Sequence, residues 1–172
     1  MSEKEDTSRP KYGLGTPWVW KYRPPLFWEP TSEHSIETKL ANMKAAIQAG
    51  ADVNELDQEA DPRRNNGRPL HFALSSTINN FKYLKENLPV IELLLESGAD
   101  PRLPGMRYTA SALEETMNEL RGIHRNERFQ PEYAEVKPFY QSAYKLLKQA
   151  ADELDGMFSL SLNFSCFSDY FK

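Results

Sequence analysis

Apolar residues return at intervals of three and four in several separate stretches of the chain. Ile36, Leu40, Met43 and Ile47 are spaced in this way, which in an α-helix puts them on one face. Leu70, Ala73, Leu74, Ile78, Phe81, Leu84 and Leu88 make a second stripe, and Val90, Ile91, Leu93, Leu94 and Leu95 follow Pro89 in a third. Ala112, Leu113, Thr116, Met117 and Leu120 form another face, as do Phe139, Ala143, Leu147, Ala150 and Leu154. Pro69, Pro89 and Pro138 stand where helices start, because the N–H that proline lacks has no intrahelical partner there. Gly50 and Gly98 close the stripes before them in the left-handed conformation of a helix C-cap, and Pro101 forbids continuation. Gly156 is expected to end the last helix, and Ser111 with Glu114 has capping-box spacing. The expected fold class is all-α, built of helix hairpins too small to bury their own apolar faces.

Two polar connections are expected, Glu55 to Gly67 with the turn signal Asn65-Asn66-Gly67, and Gly122 to Val136. Both ends of the chain break the helical pattern. Residues 1–9 read as a disordered lead. Residues 10–30 hold Pro10, Pro17, Pro24, Pro25 and Pro30 among Trp18, Trp20, Trp28, Tyr12, Tyr22 and Phe27. So many prolines predict an extended arm rather than a helix or central strand. Aromatics this dense are an aggregation liability when exposed, which favours a cap sealing the first helices over an arm that grips a partner. In the tail, residues 157–172, Phe158, Leu160, Leu162, Phe164 and Cys166 alternate with polar residues, a strand-like spacing of two. Such a segment lies over the last helices as a cap, or offers an edge that a second copy pairs to form a homo-oligomer.

The 172 residues suffice for one domain with a real core, and 40% hydrophobic with 27% charged content fits an ordinary folded protein. A net charge of −4 argues against a nucleic-acid partner. Cys166 is the single cysteine, which excludes an internal disulfide framework and a cysteine-rich metal site. No apolar run reaches the roughly 20 residues of a membrane helix, and no secretory leader is visible at Met1. These features predict an intracellular protein, cytoplasmic or nuclear, with no membrane partner.

Gly50-Ala51-Asp52-Val53-Asn54, Gly98-Ala99-Asp100 and Pro69-Leu70-His71-Phe72-Ala73 together resemble the ankyrin-repeat family. Its unit is a β-turn with two antiparallel helices, a Thr-Pro-Leu-His-x-Ala signature and a period of roughly 33 residues. Here Gly50 and Gly98 are 48 apart, the excess falling in the Glu55–Gly67 loop and between the helices of the middle pair. Arg68 stands where the family has Thr, and Ala150-Ala151-Asp152 reads as a degraded third Gly-Ala-Asp. The resemblance implies repeats at about 31–54, 67–101 and 109–155 within a domain spanning 31–156. It implies a structural role for His71, and a partner protein bound by the inter-repeat fingers and concave helix face.

No catalytic, cofactor or metal site is expected. His34 and His124 have no partner at metal-ligand spacing, and Gly13-x-Gly15 lacks the strand and helix of a phosphate loop. The expected partner-binding residues are Asp57, Arg63, Arg64 and Arg68 of the charged finger, Phe72, and the arm residues Trp18, Trp20 and Trp28. Arg63 and Arg64 are suited to fork onto carboxylates or stack on aromatics. The competing expectation is a small enzyme whose pocket lies between the arm and the helices, lined by Trp18, Trp20, Tyr22 and Trp28. A loop carboxylate or His124 would act there as acid or base.

Overall fold

The computed structural model describes residues 24–57, 67–75, 81–105, 110–126 and 131–167, with only the backbone path beyond Gly156. These residues are all-α. The helices are α1 (Pro25–Trp28), continued by a 3-10 turn at Glu29–Thr31, α2 (Ile36–Gln48), α3 (Pro69–Leu74), α4 (Phe81–Leu84), α5 (Leu88–Glu96), α6 (Ala112–Asn126) and α7 (Pro131–Phe167). The one extended pairing among the described residues is an isolated bridge between Pro104 and Ser111.

The helices pack as three pairs in two layers. α1 packs on α2, α3 on α5, and α6 on α7. Across the pairs, α1 meets α3 and α3 meets α6, while α2 meets α5 and α5 meets α7. Between the layers lie Leu26, Met43, Leu70, Leu74, Val90, Ile91, Leu94, Ile123, Val136, Tyr140 and Leu147, all of them buried. Burial of apolar area, at roughly 25 cal/mol per Å², holds the layers together. The buried Tyr140 hydroxyl donates to the Leu74 carbonyl at 2.9 Å, joining the last helix to the middle pair.

Several expectations are corrected. Residues 24–30 are not an extended arm: Leu26 and Phe27 are buried in a helical turn, and the first pair begins before residue 31. Pro25 and Pro30 occupy the opening turns of α1 and the 3-10 segment, where proline is tolerated, so they start these elements instead of forbidding them. Residues 122–136 are not one loop, since α6 runs to Asn126 and α7 starts at Pro131. Pro138 is inside α7, where a turn of helix already formed ahead of it carries the chain past the missing N–H.

Gly156 does not stop α7, and it is absent from the glycines of positive φ. The backbone stays helical to Phe167, so the expected strand-like tail is replaced by helix. A glycine in a helix interior costs about 1 kcal/mol, and propagation of an existing helix adds one hydrogen bond per residue fixed, which overrides a weak alternation of apolar and polar residues. Among the described residues the tail therefore offers no strand edge for a second copy to pair. Ala150-Ala151-Asp152 also lies within α7 and makes no turn; Asp152 instead accepts from Lys148 one helical turn away, at 2.8 Å. Among the described residues no helix is long and apolar enough to cross a membrane.

Candidate functional site

The loop edge is built from two turns of the same construction. Gly50 and Gly98 have φ of +94° and +92°, a conformation that costs glycine little. Gly50 donates to the Ile47 carbonyl at 2.9 Å and Ala51 to that of Ala46 at 3.0 Å. Gly98 donates to the Leu95 carbonyl at 3.0 Å and Ala99 to that of Leu94 at 2.9 Å, so both helices end in the same paired motif. After each, the aspartate folds onto the backbone two residues on: Asp52 Oδ1 accepts from the Asn54 N–H at 2.8 Å, and Asp100 Oδ1 from the Arg102 N–H at 2.9 Å.

Asn54 ties the two turns together. Its Nδ2 donates to the Gly98 carbonyl at 2.9 Å and its Oδ1 accepts from the Asp100 N–H at 2.8 Å. Arg102 adds a fork onto Asp100 at 2.9 and 2.8 Å and reaches Asp155 of α7 at 2.5 Å. These bonds hold the Asp100 carboxyl below the usual carboxylate range.

His71 pins the start of α3 to the next turn. Its Nδ1 accepts from the Arg68 N–H at 3.3 Å, so Nε2 carries the hydrogen and donates to the Ala110 carbonyl at 3.2 Å. Burial pushes the imidazole pKa below its ordinary value, against the raising effect of the Ala110 contact. Gly67 and Gly105 make room for the ring, since a Cβ on Gly105 would stand 2.8 Å from His71 Nε2. The histidine thus ties Arg68 to Ala110.

The N-terminal side holds a polar cluster inside the fold. Glu29 is fully buried; one carboxylate oxygen accepts from Ser32 Oγ at 3.1 Å and His34 Nδ1 at 2.9 Å, and the other from Asn42 Nδ2. Lys39 is also fully buried, and its Nζ donates to the Pro30 carbonyl and to Asn87 Oδ1, both at 3.2 Å. Burial lowers its pKa against the raising influence of Glu86 and Glu29. Asn87 completes the cluster by donating to the Pro30 and Ala73 carbonyls at 2.9 and 3.2 Å. Beside it opens a groove of about 640 Å³, lined among the described residues by Pro25, Trp28, by Asn42, Ala45 and Ala46 of α2, and by Ala49, Gly50 and Ala51 of the turn after it.

The expected partner-binding residues are thus dispersed. Trp18, Trp20, Arg63 and Arg64 lie outside the described residues, as does Tyr22. Phe72 is fully buried and meets the Phe27 ring edge-on at 5.3 Å, so it is a core residue and no partner reaches it. Asp57 is likewise buried, its N–H donating to the Gly67 carbonyl at 2.8 Å. Arg68 donates to the Pro104 and Asn54 carbonyls and so braces the loop edge from within. Trp28 lines the groove and meets the His34 ring edge-on at 6.2 Å. Sequence reasoning missed Glu29, Asn42 and Asn87, and weighed His34 only as a metal ligand. Lys39 was signalled by its register, three after Ile36 and four before Met43 on the apolar face of α2. Among the described residues no group of three or more His, Cys, Asp or Glu could hold a metal ion. No protein-family model, no curated protein and no solved structure matches the chain.

Proposed function

We propose that this chain is a short ankyrin-like repeat module that binds another protein, as an adaptor or a small regulator of its partner. The observation that carries the reading is the pair of Gly-Ala-Asp turns, which end their helices with matching backbone bonds and are cross-linked through Asn54. A loop edge braced in this way loses little conformational freedom on docking, which is what lets a repeat surface bind without a deep pocket. On this reading the charged segment between Asn54 and Arg68 is the contact element, and Arg63 and Arg64 are its forked donors. Replacing both by alanine should weaken capture of the native partner by tenfold or more, roughly the worth of one charge-assisted contact, with the circular dichroism unchanged. Undiminished capture would remove this segment from the interface.

A further inference from the structure

His71 stands between two backbone closures of the loop edge. In the first, the Asp57 N–H donates to the Gly67 carbonyl at 2.8 Å; in the second, the Gly105 N–H donates to the Ala110 carbonyl, also at 2.8 Å. The ring fills the space between them: a Cβ on Gly67 would lie 3.2 Å from its Cγ, and one on Gly105 2.8 Å from its Nε2. Its two hydrogen bonds reach one closure each, from the Arg68 N–H next to Gly67 and to the Ala110 carbonyl. Only the neutral ring can accept at Nδ1. An imidazolium carries hydrogen on both nitrogens and would turn a donor toward the Arg68 N–H.

The surroundings give a proton on the ring no counter-charge. Burial disfavours the charged form, the Ala110 carbonyl favours it more weakly, and Arg68 opposes it. The Arg68 guanidinium is held at the loop edge by the Pro104 and Asn54 carbonyls. Of the carboxylates on the neighbouring elements, Asp100 is bound by Arg102 and Glu114 by Ser111, while Asp57 is buried at the first closure. Among the described residues Arg68 is the charged group that acts on the ring.

We propose that His71 is an acid-sensitive clamp: protonation of its ring separates the Asp57–Gly67 and Gly105–Ala110 closures while the helix pairs stay packed. The separation is local because backbone bonds at the loop edge hold the closures, whereas buried apolar side chains between the layers hold the pairs. As a control on partner capture the clamp rests on the protein-binding reading, since it acts on the same loop edge.

The test is hydrogen exchange of the full chain, read from amide resonances between about pH 7.5 and pH 5 with the His71 ring resonances followed in the same samples. Protection of the Asp57 and Gly105 N–H groups should fall about tenfold or more as the ring takes up its proton, while Leu93 and Leu94 of α5 keep theirs. In His71→Gln the protection of both closures should not change over this range. Closures that stay protected after the ring has titrated would overturn the clamp. So would a loss in step with α5, a ring that stays neutral until the chain unfolds, or the same loss in His71→Gln. Should that variant fail to fold, the native titration decides alone. No partner enters this measurement, so a failed clamp leaves the protein-binding reading standing, and failed capture leaves the clamp.

Discussion

Asn54 accepts the backbone N–H of Asp100 at 2.8 Å, across 46 residues of chain. With its donation to Gly98, this makes a single side chain the joint between two turns. Asn54→Ala removes both bonds and should lower stability by about 1–2 kcal/mol, read as a shift of the urea midpoint with little change in slope. Asn54→Asp keeps the acceptor but sets a carboxylate against the Gly98 carbonyl, and should recover at most half of the loss.

Gly67 and Gly98 share a positive φ, +98° and +92°, but differ in what surrounds them. A Cβ on Gly98 meets nothing within 4 Å, whereas on Gly67 it would lie 2.9 Å from the Gly105 backbone and 3.2 Å from the His71 ring. Gly98→Ala should therefore cost about 1 kcal/mol of backbone strain. Gly67→Ala should cost clearly more. Equal thermal unfolding midpoints for the two variants would contradict the close packing around His71.

His71 gives stability a sign in pH. Its pKa is lowered in the folded protein from an ordinary 6.5, so in the window below 6.5 the unfolded chain binds more protons. The contribution is fully present above that window and is lost as pH falls through it toward the folded value. Between about pH 7.5 and pH 5.5 the denaturation midpoint should fall more in the native chain than in His71→Gln, the difference between the two isolating this group.

Asn87 serves three buried groups at once, Lys39 Nζ and the carbonyls of Pro30 and Ala73. Asn87→Leu leaves the buried Lys39 ammonium and the Pro30 carbonyl to each other and takes the Asn87 donor from the Ala73 carbonyl, and should destabilise by about 2–3 kcal/mol. Lys39→Met leaves Pro30 and Ala73 satisfied and should cost less. Chemical denaturation of the two variants side by side checks the ordering.

Much of this architecture was written in local signals. The stops at Gly50 and Gly98, the box in which Ser111 and Glu114 cap each other at 2.8 and 3.2 Å, and the starts of α3 and α5 follow from residues a few positions apart. The tail misled because an alternation of apolar and polar residues carries no information about a helix already running into it. The segment before Glu29 misled because proline forbids a helix only in its interior, and its place within an element depends on where the element begins.

The sequence by itself determined the helical periodicity, the glycine stops and the histidine of the middle pair, because each depends on neighbours within a turn or two. Only the tertiary structure decided that Phe72 and Asp57 are buried, that Asn54 joins turns 48 residues apart, and that Glu29, Lys39 and Asn87 meet inside the fold. Burial and long-range hydrogen bonding arise when helix pairs stack, and a buried lysine or glutamate persists only where other elements bring it partners.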